Sequence, residues 1–274
     1  MSYRITSIPE LEKMANTLRR DVVEMVGPGQ AGHYGGSFSS AELITALYFN
    51  KLNYNPSNPK MPERDRFLLS KGHVAIIQYA ALARAGFFEV SELATLKKLG
   101  SRLQGHPDIK KTPGIEANTG SLGQGLSIGL GIALGTRLDK LPSRVYVLIG
   151  DGELGEGQIW EAAMAAANFK ADNLCAIVDR NHIQATDFTE KRMDSGDISA
   201  KWAAFGWNVI EINGHDFNQI LSAYDQASAC KGKPTVIIAD TVKGKGVSFA
   251  ENTAAFHNGT MTEELYKQAL DELK

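Results

Sequence analysis

Residues 144–155 read Arg-Val-Tyr-Val-Leu-Ile-Gly-Asp-Gly-Glu-Leu-Gly. The first six form a β-branched, nearly unbroken apolar run, and the turn at Gly150-Asp151-Gly152 leads into a helix-period segment at residues 158–170. A strand covered by helices on both faces has this composition, because neither of its faces meets water. Residues 173–178, 208–212 and 235–242 repeat it, with helical patterns at 198–205 and 217–230 between them. The second half therefore reads β-α-β-α-β-α-β. This predicts an α/β fold: an open, mostly parallel sheet with right-handed crossovers and helices on both faces.

The first half reads mostly helical, at residues 8–26, 40–50, 73–85, 91–99 and 122–138, with irregular stretches at 53–66 and 104–118. In the last of these helices Gly125, Gly129 and Ala133 leave a smooth stripe for the close approach of another element. A final helix is expected after a Thr262 cap, with Glu263 and Glu264 in its first turn, where they suit the helix dipole. Repeats and low-complexity tracts are not evident, so residues 1–274 are expected to form one domain.

The chain has 274 residues, 43% of them apolar, and its 29 basic and 31 acidic side chains leave a charge of −2. That balance excludes a disordered chain and offers no basic surface for nucleic acid. Of the two cysteines, Cys175 sits inside an apolar run, which points to a buried thiol in a reducing compartment. The first ten residues carry no apolar leader core, and no stretch approaches the ~20 apolar residues of a membrane span. The expectation is a cytoplasmic protein without a membrane partner.

Glycines cluster at 27–36, 120–135 and 150–157, as loops do that approach a ligand through their backbone. The third cluster matches G-x-G-x-x-G between a strand and a helix, with Asp179 ending the next strand, which by itself suggests a dinucleotide site. The same pattern at Gly27, Gly29 and Gly32 follows a helix, so the match is weak. Asp151 argues against it, since its carboxylate would lie beside a pyrophosphate with nothing to neutralise either. A divalent cation removes the conflict. Asp151 and Asn181 follow consecutive strands, and adjacent parallel strands lie about 4.8 Å apart, so one ion can bridge them. Two side-chain oxygens, a backbone carbonyl and phosphate oxygens suit Mg²⁺. The competing reading is that both residues merely cap turns.

Four of the six histidines sit in glycine-flanked loops: His33, His73, His106 and His257. His182 and His215 lack the preceding glycine and are read as ordinary structural residues. The chain has no Cys-x-x-Cys or His-x-x-x-His pair for zinc.

Taken together, these motifs resemble the transketolase family, specifically the amino-terminal, diphosphate-binding half of a split form. Residues 150–157 with Trp160-Glu161-Ala, closing at Val178-Asp-Arg-Asn181, resemble its thiamine-diphosphate motif. Gly32-His33, Ser70-Lys-Gly-His73, Gly105-His106-Pro-Asp, Asn118-Thr-Gly-Ser-Leu-Gly-Gln-Gly125 and Lys243-Gly-Lys-Gly246 before His257 follow in family order. The resemblance implies that Asp151, Asn181 and the carbonyl of Ile183 hold Mg²⁺ on the diphosphate. It places Gly152, His73 and Lys243 at the phosphate end of the cofactor, with Gly120 and Leu122 against its rings. His33, His106 and His257 would face the substrate, where imidazoles half-titrated near 6.5 could pass protons to sugar hydroxyls. Glu156 resembles the family's interface carboxylate, on a proton path between two cofactor sites.

The activity implied is transfer of a two-carbon ketol unit from a ketose, or ketose phosphate, to an aldose acceptor, with the fragment held on thiamine diphosphate between the two steps. In the family the carboxylate that activates the aminopyrimidine belongs to a second, pyrimidine-binding domain, and no motif for one follows here. The resemblance therefore implies a partner subunit carrying that domain, in an α2β2 assembly. Phe256-His257-Asn258-Gly259 replaces the family's Trp-His-Gly and inserts a residue beside His257. The alternatives weighed are an α-subunit of a 2-oxoacid dehydrogenase, a cofactor-free scaffold subunit of the same fold, and, last, a dinucleotide-dependent dehydrogenase.

Overall fold

The five strands of the main sheet are β1 (Arg66–Leu69), β2 (Val145–Gly150), β3 (Leu174–Arg180), β4 (Asn208–Asn213) and β5 (Thr235–Asp240). In the computed structural model, which describes residues 4–274, they run in the order β1-β2-β3-β5-β4, each parallel to its neighbours. Met1–Tyr3, the first residues of the segment read for a leader, lie outside the described residues. Alternation along β2 supplies two cores at once. Tyr146 and Leu148 point into one, Val145, Val147 and Ile149 into the other.

The first core is closed by α1 (Ile8–Val26), α2 (Tyr34–Ser39), α3 (Ala41–Ala46), α4 (Ala75–Arg84) and, beside them, a later helix at Phe217–Ala229. The second is closed by α5 (Gln124–Leu138), α6 (Gly157–Asn168) and α7 (Ile198–Ala204). Phe217–Ala229 is α8, and Glu263–Glu272 is α9. The sheet is thus covered on both faces, as its apolar runs require. Asp197, Asp216 and Thr262 cap α7, α8 and α9, accepting from Ala200, Asn218 and Leu265 N–H groups.

The small-residue stripe of α5 is used as expected. A methyl group on Gly129 would lie 2.5 Å from Val147 Cγ2, and one on Gly125 2.3 Å from Ser70 Oγ, so the helix lies on the sheet at a distance only glycine allows. Two expectations are corrected. Residues 91–99 are not an α-helix; Val90–Thr95 forms 3₁₀ turns with only Leu93 buried, too narrow an apolar face to hold a longer helix. Residue 66, read as the end of an irregular stretch, opens strand β1.

Two short antiparallel ladders complete the frame. One pairs Ala31–Gly32 with Gly259–Thr260, so the residues beside it, His33 and His257, are brought together from opposite ends of the chain. The other pairs Ile183–Gln184 with Asp187–Phe188. Among the described residues, no helix is long and apolar enough to cross a membrane.

Candidate active site

The carboxyl ends of β1, β2, β3 and β5 open onto one cavity of about 350 Å³, the position where open parallel sheets hold ligands. Register pairs Gly150 with Asp179, so Asp151 and Asn181 leave neighbouring strands within one residue of the same level, both buried and both lining the cavity. The Asp151 carboxylate accepts from the backbone N–H groups of Gly152 at 2.8 Å and His182 at 2.6 Å. Burial raises its pKa, and the nearby Asp179 charge raises it further. A carboxylate so placed favours a bound cation.

Asn181 accepts from Ile183 N–H at its Oδ1, 3.3 Å away, and its Nδ2 donates to Asp179 at 3.0 Å. The Ile183 carbonyl accepts from Lys243 Nζ at 2.7 Å. Burial lowers the Lys243 pKa to about 8 against the opposing pull of Asp151. The Lys243 ammonium thus sits on the carbonyl that the resemblance assigns to the metal, and it also contacts His257 Nδ1 at 2.9 Å. Because an ammonium only donates, Nδ1 is the acceptor and Nε2 carries the ring hydrogen.

His33, His73 and His257 form an imidazole cluster with ring centroids 4.9 to 5.5 Å apart, and all three line the cavity. Burial is the main cause of their depressed pKa values, about 4, 2 and 3 in turn, and the charges of Lys97, Lys71 and Lys243 add to it. The expectation of half-titrated imidazoles is thus corrected for His33 and His257. Both are neutral near pH 7, each with one donor and one acceptor nitrogen.

His106 is exposed at the rim and does not line the cavity; its ring lies 2.9 Å from where a Gly120 side chain would begin. Gly120, Leu122, Gly152 and the exposed Glu156 do line it. Gly72 packs against the Thr119 carbonyl, within 2.5 Å of a would-be Cβ, which joins the two glycine loops. Sequence reasoning missed the residue that locks this wall. Buried Glu153 accepts from the Ser70 hydroxyl and from Gly123 and Gly150 N–H at 2.8 and 3.1 Å. It also missed Lys71, Gln184 and Arg192, which line the cavity. Ser70-Lys71 stood inside a quoted motif; the sequence carried no signal for Gln184 or Arg192.

Asp179, the acid of the dinucleotide reading, is fully buried and ion-paired to Lys71, so no ribose can reach it. His182 and His215 play structural parts. His182 pairs with Asp240 at 2.6 Å, while His215 bridges Glu42 Oε2 at 3.0 Å and Val242 N–H at 2.8 Å.

The donor set fits a cation shared with a diphosphate. Among the described residues no three His, Cys, Asp or Glu side chains converge as a metal cage, so an ion here would draw on an amide, a carbonyl and ligand oxygens as well as Asp151. Gln184 Oε1, buried in the cavity wall, has no hydrogen-bond partner among the described residues and can accept one from a ligand.

Residues 11–273 match the family described as transketolase, thiamine diphosphate binding domain. The chain is 46% identical over 265 residues to the 6-deoxy-6-sulfo-D-fructose transketolase subunit SqwG of Clostridium sp. (strain MSTE9), covering 97% of this chain and 96% of that one. It is 44% identical to one of the subunits of apulose-4-phosphate transketolase from Phocaeicola vulgatus, over 97% of this chain and 94% of the relative. Human transketolase is 39% identical over 96% of this chain, which spans 42% of its length. Transketolase from Campylobacter jejuni superposes with a TM-score of 0.91 at 32% identity, over 98% of this chain and 43% of that one. The chain belongs to the transketolase family, and what it shares with that family is the thiamine-diphosphate-binding part.

Proposed function

We propose that this chain is the thiamine-diphosphate-binding subunit of a two-chain transketolase, which moves a two-carbon ketol unit from a ketose to an aldose. The observation that carries the reading is Asp151 and Asn181 at adjacent strand ends on a cavity ringed by neutral imidazoles. The family match supports the cofactor, and the relatives named as subunits, matched over nearly their whole length, support a partner chain. An α2β2 assembly is the arrangement proposed.

Asp151, Asn181 and the Ile183 carbonyl would hold Mg²⁺ on the diphosphate, with Gly152, His73 and Lys243 at its phosphate end and Gly120 and Leu122 against its rings. Thiamine diphosphate, when bound, supplies the carbon acid that carries the two-carbon unit. For Lys243 to reach a phosphate its ammonium must leave the Ile183 carbonyl, which frees that oxygen for the metal. His33, with no such ammonium on its ring, is the stronger base for a sugar hydroxyl. His257, holding its hydrogen on Nε2, is the donor that steadies a sugar oxygen. His106 at the rim would meet the far end of the substrate, and Glu156 would face the partner.

The relatives are named for a sulfonated and a phosphorylated ketose, so the donor proposed here is a ketose with an anionic terminus and is not confined to pentose phosphates. The deciding experiment mixes this chain, its co-purifying partner subunit, thiamine diphosphate and Mg²⁺ with ketose donors of either kind and an aldose acceptor. Ketol transfer that needs both chains is expected. Full turnover by this chain alone, or none with any ketose in the complete mixture, would overturn the reading.

A further inference from the structure

Beneath Asn181 lies a charged network that the chemistry above does not use. Asp179, with no exposed surface, accepts from Ser39 Oγ at 2.6 Å, Ser40 Oγ at 3.2 Å, Thr241 Oγ1, the Lys71 ammonium and Asn181 Nδ2. Lys71 is itself buried and also donates to Ser40 Oγ at 2.8 Å and the Gly36 carbonyl at 3.2 Å. The Lys71 ammonium, three hydroxyls and the Asn181 amide all turn their hydrogens toward this one group, which leaves it only the role of acceptor. The carboxylate is therefore a permanent acceptor.

An asparagine amide has two ends, one oxygen and one nitrogen, of nearly equal shape. A side chain lying against a carboxylate can present only its NH₂ to it. The oxygen of Asn181 is then turned the other way, toward Ile183 N–H and the cavity. We propose that Asp179, with its charge compensated by Lys71, is the positioning residue that fixes the amide of Asn181 so that oxygen, and not nitrogen, meets a divalent cation. The same arrangement accounts for asparagine at 181, since a carboxylate there would set a third negative charge beside Asp151 and Asp179. The inference rests on the reading of the cavity as a metal–diphosphate site.

The test measures metal affinity, not turnover. Mg²⁺ is titrated by calorimetry into the complex of the full chain and its partner, with thiamine diphosphate saturating. In K71M/D179N the buried pair is replaced by neutral side chains of similar size, and Mg²⁺ is expected to bind roughly 10- to 100-fold more weakly, the usual effect of removing a group that orients a ligand. In D179N/N181D both outward ends of residue 181 are oxygen, so orientation ceases to matter and affinity is expected to recover. Unchanged affinity in K71M/D179N overturns the inference while leaving the site intact. Wild-type protein that binds thiamine diphosphate with no dependence on Mg²⁺ overturns the reading of the site itself.

A measurement on the wild-type chain does not depend on how the variants fold. With ¹⁵N-asparagine labelling, and N181D to identify the signal, the Asn181 NH₂ protons should exchange slowly with solvent and persist when Mg²⁺ and thiamine diphosphate bind. Exchange as fast as that of an exposed amide would refute the contact with Asp179.

Discussion

Asp151 is held in the ligand-free chain only by uncharged donors, and that makes it a source of instability as well as a site. Buried at the end of β2, it carries a raised pKa from burial and from Asp179, while the Lys243 ammonium is engaged at Ile183 and His257. Asp151→Asn keeps the shape and removes the charge. Because Gly152 and His182 N–H groups bond to different oxygens of Asp151, the amide NH₂ orphans one of them and offsets the relief of charge, so stability without ligands should change by less than about 1 kcal/mol while the Mg²⁺-dependent gain on adding thiamine diphosphate is abolished. A scan with and without both ligands checks this; a variant that still gains stability from Mg²⁺ would contradict it. The imidazoles set a second expectation. His33, His73 and His257 have folded pKa values near 4, 2 and 3, below the unfolded 6.5. Below pH 6.5 the unfolded chain therefore binds more protons than the folded one. Stability should be level above about pH 7.5 and fall as pH drops through 6.5 toward 4, by about 1 kcal/mol per pH unit for the most buried, His73, and less for the other two. His73→Asn should make that decline shallower in melting curves taken between pH 4.5 and 7.

At the scale of elements, α5 carries glycines of two kinds that the sequence writes alike. Gly125 and Gly129 are pressed against Ser70 and Val147, whereas Gly131 and Gly135 have open space where a side chain would stand. Gly129→Ala must push the helix off β2 and should cost about 1–3 kcal/mol. Gly135→Ala removes an unfavourable helix residue at no steric cost and should gain about 0.5–1 kcal/mol. Denaturant midpoints should order as Gly135→Ala, wild type, Gly129→Ala; the reverse order would mean the stripe does not set the helix–sheet distance. The stripe was legible because its spacing is periodic. So were β2, β3 and β5, because burial on both faces writes itself as a nearly continuous apolar run, and edge strand β4 was marked by Val209, Ile210 and Ile212 although Glu211 is exposed. Strand β1 was not, being four residues long at the sheet edge behind a proline-rich stretch. Nor was α2, Tyr34-Gly-Gly-Ser-Phe-Ser, whose two glycines oppose a helix that complete burial nevertheless imposes. Within the site, residues flanked by glycine could be read from sequence. Glu153 and Lys71 also stand beside glycines and Asp179 at a strand end, but their parts could not be read, since what marks these is burial among partners distant along the chain.

Taken whole, the molecule presents a cavity walled on one side and a rim that this chain leaves open. Glu156 stands exposed on that rim at the start of α6, and further along the same helix layer Met164 is 60% exposed, Phe169 52% and Leu138 83%. A large apolar side chain left exposed on a helix, as Met164 is on α6, is where a partner surface is to be sought. Glu156 lines the cavity and starts the helix that carries Met164, and the role proposed for its carboxylate is toward the second chain and not the diphosphate end. The two jobs should therefore separate under mutation. Glu156→Gln keeps size and hydrogen bonding but loses the charge; in the two-chain mixture it should leave the Mg²⁺ affinity at saturating thiamine diphosphate unchanged while lowering kcat. Met164→Glu, placed on α6 away from the cavity, should weaken co-elution of the two subunits on size exclusion and restore activity only at higher partner concentration. If Met164→Glu leaves assembly untouched while Glu156→Gln weakens Mg²⁺ binding, the partner covers some other face, and the rim belongs to the cofactor's own pocket.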